Sequence, residues 1–162
     1  MIYSDSKEGI KELVASLNNS EPVVIPTETV YGLASKVNDL NSLKKIFLYK
    51  KRPFFDPLIV HIFNKIQLAE LSHFDSPVVD KLISNFWPGP LTLVLPKLNT
   101  VSDIITSGLD SVGIRMPKHP LALELLEAVG VPLAAPSANL FGQTSPTLAS
   151  HVEIDFPNLK IL

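Results

Sequence analysis

The sequence predicts an α/β fold, and three observations carry that prediction. Apolar runs of strand length, such as Val23-Val24-Ile25, Leu58-Ile59-Val60 and Val112-Gly113-Ile114, alternate with stretches whose apolar residues recur at helical spacing. The interleaving continues throughout, without internal repeat, linker or low-complexity segment. At 162 residues, 46% apolar and 19% charged, the chain has the length of one domain and enough apolar material for a core.

In order, Asp5 or Ser6 can cap a first helix whose Ile10, Leu13, Val14 and Leu17 share one face, and Asn18-Asn19-Ser20 ends it. Pro22 to Ile25 reads as a strand. In the following Pro26 to Ala34, a proline with threonines and an acid resembles a helix entrance, where free N–H groups favour anions. Asp39 or Asn41 starts another helix, with Leu40, Leu43 and Phe47 inward and Lys44 and Lys45 outward. That helix fails before Pro53, leaving Lys50 at or beyond its end. Pro57 to Ile62 is a short buried strand. Ile66 to Leu71 and Pro77 to Phe86 read as helices, and Trp87-Pro88-Gly89-Pro90 as a rigid turn into a strand at Leu91 to Leu95. Val101 to Ser107 is ambiguous. Ser111 to Arg115 is a strand, Pro120 to Val129 a helix closed by Gly130, and Pro132 to Ala135 a last strand before the polar loop from Pro136 to Thr147.

Composition excludes several classes. A net charge of -2 gives no global field toward nucleic acid or membrane, so any RNA contact is a local patch. With no cysteine, disulfides, thiolate metal sites and a cysteine nucleophile are ruled out. The N-terminus lacks a secretory apolar core and no apolar run reaches membrane-spanning length, so the expectation is a cytoplasmic protein without membrane association. There is no Walker loop, G-x-G-x-x-G or G-x-S-x-G elbow. His73, His119 and His151 lie far apart and show no metal-ligand spacing.

Chemistry concentrates in Lys50 to His61. Arg52 precedes a proline and is therefore biased toward extended backbone, where side chains two apart point the same way. On that premise Lys50 and Arg52 converge on one anion, with His61 delivered at the end of the next strand. Of the 14 lysines and arginines only Arg52 and Arg115 are arginine, Arg52 immediately before Pro53 and Arg115 two residues before Pro117. A bidentate fork for carboxylate or phosphate is one reading of that usage, compositional bias the other. His61 is a ligand-facing group or a hydrogen-bonded core histidine. Ser137 and Asn139, two apart after a strand, face a ligand or simply build a turn. Phe54 and Phe55 are core anchors or an aromatic wall.

Taken together, the segments resemble the YrdC/Sua5 family of threonylcarbamoyl-AMP synthases. The matching blocks are Pro26-Thr27-Glu28-Thr29-Val30-Tyr31-Gly32-Leu33, Lys50-Lys51-Arg52-Pro53 with Pro57-Leu58-Ile59-Val60-His61, and Trp87-Pro88-Gly89-Pro90-Leu91-Thr92. Val112-Gly113-Ile114-Arg115-Met116-Pro117 and Ala135-Pro136-Ser137-Ala138-Asn139 to Ser145-Pro146-Thr147 complete the set. The resemblance implies a twisted open mixed sheet with flanking helices and a deep cationic crevice. It implies a nucleotidyltransferase that joins L-threonine, bicarbonate and ATP, with Mg2+, into threonylcarbamoyl-AMP and pyrophosphate for the t6A modification of tRNA. A separate transferase complex would use the product.

On this resemblance Lys50 and Arg52 are the catalytic cations. Thr29, His61, Arg115 and Ala135 form the L-threonine set. Lys50, Arg52, Asp56, Ser137, Asn139 and Ser145 form the nucleotide set, with no protein metal site. Relatives usually carry asparagine where this chain has Asp56. They also continue past Leu162 with a further strand-containing segment, so residues 1–162 are expected to be one YrdC-like domain lacking it, with an unpaired sheet edge. The rival readings are weak tRNA binding through Lys44 to Arg52 and a nucleotide-binding paralogue without synthase activity.

Overall fold

The computed structural model describes residues 1–3 and 6–162. The expected cap at Asp5 lies outside them, as does the side chain of Ser6. Six strands form one mixed sheet in the order β1-β2-β6-β3-β5-β4. These are β1 (Val23–Ile25), β2 (Gly32–Lys36), β3 (Ile59–His61), β4 (Leu93–Pro96), β5 (Ser111–Arg115) and β6 (Leu133–Ala134). Only β3 and β5 pair in parallel. The helices are α1 (Ser6–Asn18), α2 (Leu40–Lys50), α3 (Leu68–Leu71), α4 (Pro77–Phe86), α5 (Asp103–Thr106), α6 (Pro120–Val129) and α7 (Ala149–Asp155).

Strand alternation divides the core. On β1, Val23 and Ile25 pack with Leu13 and Leu17 of α1 and Leu125 and Leu126 of α6. Val24, on the opposite face, packs with Ile46 of α2 and Val152 of α7. A third cluster joins Phe47, Val60, Ile83, Trp87 and Ile114 around β3, β4 and β5. Such wholly buried leucines and isoleucines each contribute about 2 kcal/mol. No helix among the described residues is long and apolar enough to cross a membrane.

Most elements fall where the pattern places them; the differences are local. Pro26 to Ala34 does not enter a helix. Thr27 Oγ1 accepts from the N–H groups of Thr29 and Val30 and donates to the Val30 carbonyl at 2.6 Å, and the chain then returns as β2, antiparallel to β1. The threonine hydroxyl supplies a turn in place of helical hydrogen bonds. On α2, Asp39 caps the helix by accepting from Ser42 N, but Leu40 is half exposed and Ile46 takes the inward place. The ambiguous Val101 to Ser107 contains the one-turn α5, and α7 lies beyond Thr147, where the sequence reading assigned no element. The outer edge of β1 is paired: Val24 N donates to Lys160 O and Leu162 N to Val24 O.

Candidate active site

Register brings the first two site residues together. In the parallel pairing His61 of β3 lies directly opposite Arg115 of β5, so both side chains stand on the same face at neighbouring strand ends. β6 runs antiparallel beside β3, and Ala135 N just beyond it donates to Ile59 O at 2.9 Å. On the other side β2 approaches the loop after β6, where Leu33 N donates to Pro136 O. A Cβ on Gly32 would stand 3.3 Å from the Ala135 Cβ, so glycine permits this approach.

The result is a cleft of about 270 Å³ whose walls include Thr29, Arg52, His61, Arg115, Ala135 and Ser137. A larger cleft of about 530 Å³, between the end of α1 and residues 155–160, contains none of the expected site residues.

Arg115 is nine-tenths buried and held along one edge of its guanidinium. Nε donates to Gly89 O at 3.3 Å, and Nη2 to Thr29 Oγ1 at 3.0 Å and to Glu28 Oε1 at 2.9 Å. Arg52 is held the same way: Nε to Asp56 O at 3.1 Å, Nη2 to Pro57 O at 2.9 Å and to Asp56 Oδ1 at 2.9 Å. Each arginine of the cleft therefore carries an internal carboxylate, which balances its charge and leaves its other edge for a ligand.

Lys50 departs from expectation. It ends α2 in helical conformation, and Lys51 takes the left-handed conformation that closes the helix, so Lys50 and Arg52 are not neighbours on one extended segment. The Lys50 side chain is 1% exposed, and its ammonium donates to the carbonyls of Ser137 and Asn139, each at 2.5 Å. It lies under the loop that edges the cleft rather than in the cleft. Asn139 is likewise buried; its amide donates to Leu140 O and Gln143 O, and its Oδ1 has no partner among the described residues. Ser145 borders a separate cleft with His151 and Asp155. Phe54 stacks on Phe47 at 4.7 Å yet stays largely exposed, as does Phe55.

The Sua5/YciO/YrdC family model, described as telomere recombination, matches residues 15–161. The chain belongs to the Sua5/YrdC family. Among curated members it is 52% identical over 134 residues to the threonylcarbamoyl-AMP synthase of Pyrococcus abyssi, covering 83% of this chain and 39% of that one. The Bacillus subtilis threonylcarbamoyl-AMP synthase is 48% identical over 147 residues, covering 90% and 42%. The crystal structure of P. abyssi Sua5 complexed with L-threonine superposes with a TM-score of 0.93 at 44% identity, over all of this chain and 48% of that one. The chain thus spans about two fifths of the length of the curated relatives it matches.

Within this Sua5/YrdC fold, electrostatics separates the titratable groups. Burial, reinforced by the Arg115 charge, pushes the His61 imidazole down to about 4, so it is neutral at pH 7. Burial raises the Glu28 carboxyl, but hydrogen bonds from Arg115 and Lys118 N outweigh it and leave the group below its ordinary value. For His61 the unfolded chain takes up a proton near pH 6.5 while the folded chain does not until about 4. The unfolded state binds more protons in that window, so stability falls as pH drops through it, by about 2 kcal/mol at pH 5. Urea midpoints at pH 7 and pH 5 check this: His61→Gln is expected to lose that part of the acid sensitivity.

Sequence reasoning missed Glu28, which pairs with Arg115, and Tyr31, which lines the cleft. The signal for Glu28 was available: two arginines near buried strand ends each need a counter-charge, and Glu28 is the acid nearest the threonine turn.

Proposed function

We propose that this chain carries out the synthase reaction of its curated relatives, forming threonylcarbamoyl-AMP and pyrophosphate from L-threonine, bicarbonate and ATP. One observation carries the reading: both arginines of the chain and a neutral histidine border a single cleft, in a fold that superposes on a Sua5 complexed with L-threonine. Arg115 suits the amino-acid carboxylate, with Thr29, His61 and the Ala135 main chain beside it. Arg52 and Ser137 suit the nucleotide. Lys50 and Asn139 set the shape of the Ser137 loop from beneath, and Lys50 adds positive charge below it.

The amine of threonine combines with bicarbonate to give a carbamate, with loss of water. A carbamate oxygen then attacks the α-phosphorus of ATP, the α–β bridging bond breaks, and pyrophosphate leaves with its electron pair. Protein groups place the reactants and neutralise charge that develops on the α-phosphoryl group, so no dedicated general base is assigned. Mg2+ enters as part of the substrate, on the ATP phosphates. Among the described residues no group of three or more His, Cys, Asp or Glu could hold a metal, and the two acids beside the cleft are paired to arginines. The product would pass to a transferase acting on tRNA in the cytoplasm.

The Lys44 to Arg52 patch offers RNA little. Lys45 is paired with Glu21, Lys50 is buried and Arg52 is bonded to Asp56. Lys44 and Lys51 remain exposed, and two phosphate contacts give weak affinity. The reading is tested by mass spectrometry of the products. Threonylcarbamoyl-AMP is expected only when all three substrates are present; its absence, from folded chain that still binds L-threonine, would overturn the assignment.

A further inference from the structure

Glu28 lies outside the cleft, yet it touches the residue on which amino-acid recognition rests. Its Oε1 is 2.9 Å from Arg115 Nη2, and its Oε2 accepts from Lys118 N at 3.0 Å. It therefore ties the turn after β1 to Arg115 at the end of β5 and to the backbone just past it. Arg115 Nε and Nη2 are taken by Gly89 O, Thr29 Oγ1 and Glu28, while Nη1 makes no hydrogen bond among the described residues. One edge of the fork is fixed and the other is left for a ligand in the cleft.

A carboxylate beside an arginine can also act as a competitor that the substrate must displace. The geometry favours the other role. Glu28 contacts Nη2, is anchored independently by Lys118 N, and does not line the cleft, so an incoming carboxylate at Nη1 need not evict it. A guanidinium already fixed on one side loses less freedom when it binds.

We infer that Glu28 is a positioning residue that fixes Arg115 for recognition of the amino-acid carboxylate. This rests on the synthase reading of the same cleft. Calorimetric titration of L-threonine, with ATP as an internal control, tests it on wild type, Glu28→Gln and Glu28→Asp. Glu28→Gln is expected to weaken L-threonine at least tenfold and to leave ATP within twofold. Glu28→Asp, which keeps the charge with a shorter reach, is expected to recover part of the loss. In turnover the KM for L-threonine rises while kcat at saturation and the KM for ATP hold.

Unchanged or tighter L-threonine binding in a folded Glu28→Gln overturns the inference and leaves the synthase reading standing. If Glu28→Gln does not fold, Glu28→Asp carries the test, and wild-type L-threonine affinity there overturns the inference. No L-threonine binding by wild type overturns both.

Discussion

Replacing Lys50 with methionine is expected to reduce synthesis at least a hundredfold while changing stability by no more than about 3 kcal/mol. The small stability change follows from two opposed terms. Losing the ammonium leaves the Ser137 and Asn139 carbonyls without their donor, at about 1–3 kcal/mol each where water cannot reach them. Against this, burial and the nearby Arg52 charge lower the Lys50 ammonium from 10.5 to about 8, which corresponds to about 3 kcal/mol against the charged form. The terms nearly cancel in stability. They do not cancel in the site, because the Ser137 loop loses both the donor that shapes it and the positive charge beneath it.

The pH dependence separates the two effects. Between about 8 and 10.5 the unfolded chain keeps the Lys50 proton and the folded chain does not, so this group makes stability rise with pH across that window. Activity that needs the ammonium falls in the same window. A melting series and a rate profile from pH 7 to 10 should move in opposite directions in wild type, and Lys50→Met should remove Lys50's contribution to both. A wild-type rate that stays flat past pH 9 would show the charge of Lys50 to be irrelevant.

Arg52→Ala is expected to cost about 10²–10³ in kcat/KM, the size typical of removing one preorganised donor to developing charge. The loss should not be rescued by Arg52→Lys. A lysine can supply a point charge but cannot hold the Asp56 and Pro57 carbonyls and the Asp56 carboxylate while still presenting a free donor edge. Asp56 complicates a single substitution, since Arg52→Ala strands a carboxylate. Its side chain is 36% exposed, so water compensates and the stability cost is about 1 kcal/mol. The double variant Arg52→Ala with Asp56→Ala separates the roles: stability is expected to return, activity is not. Recovery of activity in the double variant would mean that Arg52 serves only to neutralise Asp56.

How much of this was legible in the sequence differs by element. Ser111 to Arg115 and Pro120 to Val129 with Gly130 are found residue for residue, because an apolar run and a proline-started, glycine-ended periodic stretch leave few alternatives. β2 was hidden because Gly32-Leu33-Ala34-Ser35-Lys36 lacks the β-branched character of a strand. It is held by its pairing to β1 and β6, which no local pattern announces.

Much of the cleft was legible from strand ends, as with Thr29, Arg52, His61, Arg115 and Ser137, while the family resemblance added Ala135; all six meet there. Lys50 was misplaced because helix and extended chain give opposite answers for residues two apart, and Lys50 is the last helical residue of α2 rather than part of the extended segment. Asn139 and Ser145 share a loop with Ser137 but diverge from it, since spacing along an irregular segment carries no direction. Glu28 was overlooked because its partners, Arg115 and Lys118 N, are distant in sequence.

The central claim, that this cleft joins an amino-acid carbamate to a nucleotide, is tested most directly by pyrophosphate release from ATP on the 162-residue chain. It is to be measured with and without L-threonine and bicarbonate. The expected result is release that requires both co-substrates and is lost in Arg52→Ala. Release independent of L-threonine, or none from folded chain that binds ATP, would contradict it.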